Sequence, residues 1–576
     1  MNYNTTIKDY TDSTVLPCNC SSSPFTDPNI GHVVTGDLKI VTNRKLRELM
    51  SKGINTRECY NYSKSDILSS AEKDLDNFIE KVSSRMKTDK TKFTEWKSHI
   101  MNNITKDVQD CKTKKFKKPV LKDPKVVKTL KELHSQFVFV PTDKAPQNIS
   151  IVCKKYYVES LKDELMSTNT YMEVSDDAEK IIEGHKDISG NTFSVDIGDG
   201  MEKLPFMYWL PKHHKTPVGK RFISSGTFCS TKNLSHKIGL VLRLIKKTLR
   251  NQCKYDCKFQ NTSSNWIINN ADAVHKSIRE INGSSKAKSV YSFDFTTLYT
   301  SLPHDKLLTE IEFVIKEAFK FSKKNFIRIS SKYACWAEKN VSKSNTLIYL
   351  TEQELLEWIR YLIDNIYVIF NNKVYKQVIG IPMGTDCAPD LANLFLFAYE
   401  YKYITHLISI NCSTKSYFKY NSRYIDDLLT LNDKGTFLDI FREIYPQELD
   451  LKNTGKSPIN CNYLDMNIEV IDGKFVTTLF DKRTEFNFKV ISLPNLSSNI
   501  PLNGAYGVFT SQLHRLCKVN SDIGGFYRDI KLIMDKLKHQ NFRYDKLLYT
   551  LHRYVNTNKA MIYPKYWRAF EFDQIR

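Results

Sequence analysis

The sequence has no long apolar run and no regular cysteine spacing. It contains no stretch of about 18 apolar residues, and its polar start, MNYNTTIKDY, has no apolar core segment, so neither a membrane span nor a secretory signal is expected. The closest cysteine pairs are Cys18 with Cys20 and Cys253 with Cys257. Neither has a second Cys or His pair nearby at zinc-finger spacing. The 13 scattered cysteines therefore favour reduced intracellular thiols over a disulfide scaffold or a structural zinc.

Charge of one sign is in clear excess. The 576 residues include 85 Lys and Arg against 64 Asp and Glu, a net charge of +21. Such an excess favours a polyanionic partner, most simply nucleic acid, and the 31 Tyr and 32 Phe offer rings on which bases can stack. A generally basic soluble protein is the alternative that charge alone leaves open. A lysine run at 112–118 indicates a nuclear-import signal, a nucleic-acid contact or a solvated charged linker.

The alternation of strand and helix signals predicts an α+β core. Apolar residues at helical spacing predict helices within 64–110, at 234–249 and at 352–365. β-Branched and aromatic runs predict two strands around the turn of VPTDKAP, and another strand in YSFDF. The segment SRYIDDLLTL has the residues of a β-hairpin with two acids at its tip.

The acids of these strands are candidate metal ligands. Asp294 lies in YSFDF, and Asp426 and Asp427 lie in YIDD. Acids flanked by apolar strand residues need a partner, and hard divalent cations prefer carboxylate oxygens. Adjacent residues of a regular strand face opposite ways, but a hairpin tip relaxes this rule. We therefore expect Asp426 to act with Asp294, and Asp427 to lie nearby and be less essential.

Several motifs occur in one order: DFTTLY from Asp294, IPMGTDCAP from Ile381 and YIDD from Tyr424. The set resembles the palm motifs of reverse transcriptases. With VPTDKAP, LPKHHK, KRFISS and NYLDMNI it is similar, more narrowly, to the Penelope-like retroelements. The likeness runs from about residue 137 to 470.

The resemblance implies a right-hand polymerase with fingers, palm and helical thumb. We expect a polar and helical N-terminal region at 1–125, fingers at 126–285, a palm at 286–470 and a thumb at 471–576. The implied activity is RNA-directed DNA synthesis by two Mg²⁺ ions, with Mn²⁺ as a substitute. The implied partners are an RNA template, a DNA primer and dNTPs, without a membrane; the oligomeric state stays open. The expected location is nuclear, with the cytoplasm as the alternative.

The resemblance also assigns roles at the nucleotide. Tyr299 matches the aromatic residue that excludes a 2′-hydroxyl. Met383 and Gly384 match the loop beneath the incoming base pair, where the family often carries Gln in place of Met383. Arg221 matches the arginine that grips the triphosphate, since a guanidinium fork suits phosphate oxygens. The remaining candidates at the nucleotide are Lys212, Lys215 and Lys452.

Primer and template contacts are expected from the fingers turn, the palm hairpins and the thumb. Each lysine taken alone is more often a solvated surface charge, and Asp465 capping its turn is the alternative to a primer contact. The candidates are Lys144, Tyr424, Leu464, Asp465 and Arg515.

Two alternatives to a reverse transcriptase remain open. One is a catalytically inactive, nucleic-acid-binding retroelement relic, against which the intact acids argue. The other is an RNA-templated RNA polymerase, which Tyr299 would disfavour. Neither the Gly-Ile-Tyr and Tyr-Ile-Gly signatures of an endonuclease nor room for an RNase H or integrase domain is found, so an endonuclease-lacking type or a truncated copy is expected.

Overall fold

The computed structural model describes residues 18–58, 63–83, 90–110, 119–198, 200–296, 298–338, 347–381, 384–560 and 562. Within these ranges the chain combines α-helices with mainly antiparallel sheets, as the sequence predicts. The lysine run at 112–118 and Met383 lie outside them. No helix of the described ranges has the length and apolar character needed to cross a bilayer.

The strands and helices before residue 285 lie where the N-terminal region and the fingers are expected. The strands are β1 (Thr26–Asp27), β2 (His32–Thr35), β3 (Phe137–Thr142), β4 (Ala145–Cys153), β5 (Tyr171–Val174), β6 (Phe206–Lys212) and β7 (Gly219–Ser225). The helices are α1 (Arg44–Met50), α2 (Lys64–Ser83), α3 (Lys90–Asp110), α4 (Pro124–Gln136), α5 (Lys154–Ser167), α6 (Ala178–Asp187), α7 (Lys232–Asp256) and α8 (Asp272–Ser284). The predicted strand pair around VPTDKAP is confirmed as β3 and β4, within a sheet of order β1-β2-β4-β3.

The helices predicted within 64–110 are confirmed, but their apolar residues are not part of a core. The described side chains of α2 are not buried, and Ile67 and Phe78 are exposed. The Phe78 ring lies 5.7 Å from that of Trp96 on α3, so the two helices pack on each other. Helical periodicity predicted the secondary structure correctly without predicting what it packs against.

The palm follows. Its strands are β8 (Val290–Phe295), β9 (Phe326–Ile329), β10 (Ala334–Ala337), β11 (Ile348–Leu350), β12 (Tyr367–Phe370), β13 (Lys373–Gln377), β14 (Ser422–Tyr424), β15 (Asp427–Leu431) and β16 (Leu451–Asn453). Its helices are α9 (Leu298–Ser301), α10 (His304–Ser322), α11 (Glu352–Asp364), α12 (Ala388–Ser409) and α13 (Thr436–Ile444). The strands form the sheets β14-β15-β8-β16, β10-β9-β11 and, with earlier strands, β5-β13-β12-β6-β7.

Local chemistry explains where the palm helices begin and what they bury. Helix α11 begins after Thr351, whose hydroxyl accepts the Glu354 N–H while the Glu354 carboxylate accepts the Thr351 N–H, a capping box. Helix α12 is apolar on nearly all sides, and most of its residues are buried in the largest core, as a central helix requires. This core lies against the sheet that contains β8 and β15.

The last part of the chain is a small sheet followed by a helical bundle. The strands are β17 (Asn460–Tyr463), β18 (Met466–Ile471) and β19 (Lys474–Leu479), and the helices are α14 (Leu502–Ala505), α15 (Gly507–Val519), α16 (Ile523–Lys538) and α17 (Tyr544–Thr557). The bundle has its own core, which includes Phe509, Leu513, Phe526 and Leu547. This agrees with the helical thumb expected from the sequence.

Candidate active site

The sheet β14-β15-β8-β16 places Asp294 between two other candidate site residues. In the antiparallel pairing of β8 with β15, Asp294 lies directly opposite Asp427. On the other edge of β8, Asp294 lies opposite Lys452 of β16. Directly opposed residues of an antiparallel pair have side chains on the same face, with Cβ atoms about 5 Å apart. The two acids and the lysine therefore share one face of the sheet.

Asp426 occupies the turn of the predicted hairpin. Tyr424 pairs with Asp427, so Ile425 and Asp426 form the turn between β14 and β15. Ile425 has a φ of 57°, a conformation that is rare and costly for a β-branched residue. The Phe295 N–H donates to the Asp426 carbonyl at 3.2 Å, which fixes the turn to β8. The turn thus brings Asp426 beside the other two aspartates, as the sequence predicts.

A buried ion-pair network supports this strained turn. Arg423 is fully buried, pairs with Glu400 of α12, and donates to the Ile425 carbonyl at 2.9 Å. It also donates to the Asn393 side chain at 3.0 Å, and the Tyr445 hydroxyl donates to Glu400 at 2.8 Å. Sequence reasoning missed this network. The available signal was a charged residue on each of two otherwise apolar segments, since a buried charge requires a partner.

Two of the three carboxylates, Asp294 and Asp427, have raised pKa values. Burial, together with the charges of Asp426 and Asp294, raises the pKa of Asp427 to about 7. The pKa of Asp294 is also raised, first by burial and then by Asp426. Ionised Asp294 and Asp427 are therefore unfavourable here without a nearby cation. A donor set made only of oxygen suits Mg²⁺ or Mn²⁺, so these residues fit the expected ions.

Three exposed lysines from separate segments supply positive charge around the acids. Lys144 lies in the turn between β3 and β4 with a φ of 63°, and Lys215 lies in the turn between β6 and β7. Lys482 lies in a short 3₁₀ helix, Lys482–Glu485, after β19. All three lower the pKa of Asp294. Sequence reasoning did not place Lys482 near the acids.

Arg221 lies with Lys212 on the fingers hairpin of β6 and β7. The Arg221 guanidinium is 3.1 Å from the buried Asp143 carboxylate, and about a third of the Arg221 side chain stays exposed. The Asp143 N–H donates to the Pro211 carbonyl, which fixes the β3–β4 turn against β6. The pKa of Lys212 is lowered by burial and by Arg221. Arg221 and Lys212 therefore form one basic cluster, in which Arg221 is paired with the buried Asp143.

Tyr299 lies close to the acids. It belongs to the short helix α9, is partly buried, and its pKa is raised by burial and by the charge of Asp426. Its carbonyl accepts the Ile381 N–H at 2.7 Å. A Cβ added to Gly380 would lie 2.3 Å from the same carbonyl, so only glycine fits at that position. Two segments thus fix the Tyr299 backbone.

Gly384 makes a close backbone approach, as expected, but to the Ser224 carbonyl and not to a base pair. Its φ is +134°, and an added Cβ would lie 2.0 Å from the Ser224 carbonyl oxygen of β7. The glycine therefore lets the loop before α12 contact the fingers strand of the protein itself. Met383, the other residue expected in this loop, lies outside the described residues.

The remaining primer candidates lie on a second hairpin and on the thumb. Leu464 and Asp465 form the turn between β17 and β18. Asp465 pairs with Arg515 of α15 at 2.7 Å, so the pair joins the β17–β18 turn to the helical bundle. The Tyr463 hydroxyl donates to the Asp427 carbonyl at 3.2 Å, so this hairpin also lies beside the YIDD hairpin.

Comparison with known proteins identifies the fold. No protein-family model matches the chain, and no curated protein matches it. The structure is similar to telomerase from Candida albicans in complex with the TWJ fragment of telomeric RNA, with a TM-score of 0.51 at 12% identity over 76% of this chain and 69% of that one. Telomerase from Candida tropicalis, also solved with that RNA fragment, gives 0.45 at 12% over 100% and 82%. The first of these likenesses shows that the chain has a right-hand, reverse-transcriptase-like polymerase fold.

Proposed function

We propose that the protein is an RNA-directed DNA polymerase that extends a primer 3′-hydroxyl with dNTPs. The observation that carries the proposal is the placement of Asp294 opposite Asp427, with Asp426 in the adjoining turn. These acids lie within the field of lysines from the fingers and from the segment after β19. Carboxylates facing a basic cluster are what transfer of a nucleotide from a triphosphate needs.

Asp294, Asp426 and Asp427 would hold two Mg²⁺ ions, for which Mn²⁺ could substitute. When bound, such ions lower the pKa of the attacking hydroxyl and neutralise the charge of the leaving pyrophosphate. In this proposal the protein's own residues position the reactants. Lys144, Lys215 and Lys482 attract the triphosphate into the face where the acids lie.

Further residues would act on the nucleotide and the strands. Arg221, Lys212 and Lys452 would contact phosphates, and the Tyr299 ring would exclude a 2′-hydroxyl beside the acids. Tyr424 and Leu464 would support the primer end. The shared motifs support membership of the Penelope-like retroelements, and the lysine run at 112–118 supports a nuclear location; both stand as proposals with the activity.

Primer extension on a defined RNA template tests the activity. The reaction is run with dNTPs or rNTPs, in Mg²⁺, Mn²⁺ or EDTA. We expect extension with dNTPs that EDTA abolishes and that Asp294→Asn removes. The matched control is Asp472→Asn, which changes an exposed acid in the β18–β19 turn. Folded, template-bound protein that extends nothing would favour the catalytically inactive relic.

The sugar preference separates the DNA polymerase from an RNA polymerase. Replacing Tyr299 with Val should raise the use of rNTPs relative to dNTPs about 10- to 100-fold, the effect of relieving one steric contact in a pocket. The measurement is kcat/KM for each nucleotide class on the same primer and template. Equal use of rNTPs by the unaltered protein would favour the RNA polymerase instead.

A further inference from the structure

Four potential metal ligands meet at the edge of the fingers, away from the aspartates. Cys20 begins a 3₁₀ turn (Cys20–Ser22) with Cys18 just before it, His32 begins β2, and Cys153 ends β4. Strands β2 and β4 pair with Val34 opposite Val152, which places His32 and Cys153 at the same end of the sheet. The sulfur and nitrogen donors of these four residues all lie within 4.8 Å of one another.

The distances between donors resemble the edges of a tetrahedron around zinc. The Cys18 Sγ lies 3.6 Å from the Cys153 Sγ and 3.3 Å from the His32 Nδ1. With Zn–S of about 2.3 Å and Zn–N of about 2.0 Å, tetrahedral angles give S···S edges of about 3.8 Å and S···N edges of about 3.6 Å. A disulfide would need about 2.05 Å between the sulfurs. The cluster is therefore spaced for a shared ion better than for a covalent bond.

The surroundings hold the ligands in place. The Val33 N–H donates to the Cys20 Sγ at 3.3 Å, a contact that favours a sulfur carrying negative charge. The His32 ring stacks on Tyr156, with centroids 5.3 Å apart and an angle of 19°, so its Nδ1 stays directed at Cys18.

The donors of the cluster are three sulfurs and one imidazole, and two of the cysteines, Cys20 and Cys153, are buried. Zinc binds cysteine as the thiolate, so one ion would be shared by all three sulfurs. Because sulfur and imidazole donors select Zn²⁺ over Mg²⁺, the cluster differs in chemistry from the all-oxygen aspartate site.

We propose that Cys18, Cys20, His32 and Cys153 form a structural Cys₃His zinc site. The site fastens the segment before β1 to the end of β4, whose other end carries the Lys144 turn. All four coordination positions are filled by protein, which is typical of structural rather than catalytic zinc. Spacing along the sequence missed the site because its ligands come from three separate segments, of which only Cys18 and Cys20 are neighbours.

Metal content of the full-length protein tests the proposal. Protein made in zinc-supplemented medium and dialysed in a reducing buffer should contain about one zinc ion per chain, measured by inductively coupled plasma mass spectrometry. The double variant Cys18→Ser/Cys20→Ser should lose it, and Cys412→Ser, which changes a partly exposed cysteine outside the cluster, should keep it. Asp426→Asn should keep the zinc too, which excludes binding at the aspartates.

A second measurement covers the case in which the double variant does not fold. The unaltered protein, loaded with Co²⁺ in place of Zn²⁺, should show the intense visible absorption of tetrahedral cobalt and the charge-transfer band of thiolate ligands. Folded protein that holds no zinc and gives an octahedral cobalt spectrum would overturn the proposal. So would a Cys18–Cys153 disulfide found by mass spectrometry in protein isolated without air.

Discussion

Two hairpins in this molecule have the same kind of two-residue turn, but the turns face different surroundings. In the YIDD hairpin, Tyr424 and Asp427 flank a turn of Ile425 and Asp426. In the NYLDMNI hairpin, Tyr463 and Met466 flank a turn of Leu464 and Asp465. The first turn residue has nearly the same backbone in each, with φ of 57° at Ile425 and 54° at Leu464. An aspartate comes second in both.

The difference lies in what each turn faces. Asp426 faces two further carboxylates, Asp294 and Asp427, whose pKa values it raises. Asp465 instead faces Arg515, a partner of opposite charge 2.7 Å away. Neighbouring carboxylates need a bound cation to ionise together, whereas the charge of Asp465 is already balanced by Arg515. The same local backbone therefore presents a candidate metal ligand in one hairpin and a thumb contact in the other.

The largest expected difference between the hairpins is in activity. Asp426→Asn should lower kcat at least about 10³-fold, because ions bound at the turn would lose a charged ligand worth several kcal/mol at the transition state. Asp465→Asn, which makes the same change at the same turn position, should lower it only a few-fold. Primer extension at saturating dNTP measures both, with template affinity as the control for folding. Equal losses in the two variants would contradict the assignment of Asp426.

The YIDD hairpin also differs in the buried charge beneath it. Arg423→Met should destabilise the protein by about 3–5 kcal/mol, because it leaves Glu400 buried without its partner. Urea unfolding followed by circular dichroism measures the change.

A double variant separates charge from packing at this position. Arg423→Met/Glu400→Gln should recover part of the lost stability, since no uncompensated charge then remains. Activity should not return with stability, because the contact from Arg423 to the Ile425 carbonyl is still missing. Full recovery of activity would show that the turn keeps its shape without Arg423.

Sequence reasoning located the three aspartates but not the residues that hold their segments in place or lie around them. Apolar flanks identified the strand of Asp294 and the hairpin of Asp426, because alternation and turn chemistry are local properties. Arg423 with Glu400, and Cys18 with Cys153, are separated by many residues, and no local pattern brings such pairs together. The position of Lys482 near the acids was missed for the same reason, because it depends on how the segment after β19 folds back. The α+β class followed from local signals and the right-hand architecture from the resemblance, whereas the network around the site required the tertiary structure.

The raised pKa of Asp427 predicts a smaller effect with a definite pH dependence. Without divalent ions, a neutral Asp427 favours the folded state, and this contribution is lost as pH rises from the ordinary aspartate pKa of about 4 to the raised value of about 7. Asp427→Asn should therefore stabilise the ion-free protein at pH 8 by about 1–3 kcal/mol, and less as pH falls below 7. Thermal unfolding in EDTA across this range measures it. Asp472→Asn, at an exposed turn, should show no such trend.

The smallest effect is expected at the NYLDMNI hairpin. Asp465 and Arg515 each keep about a third of the side chain exposed, so a double-mutant cycle of Asp465→Ala and Arg515→Ala should give a coupling of about 0.5–1 kcal/mol. Affinity for primer and template should fall only a few-fold in either single variant, because the thumb helices keep their own core. Arg543→Ala, which breaks an exposed pair with Asp545, serves as the control. A coupling above about 2 kcal/mol would mean that the Asp465–Arg515 pair acts as a desolvated ion pair. The two hairpins would then differ only in the sign of the charge that each turn aspartate faces.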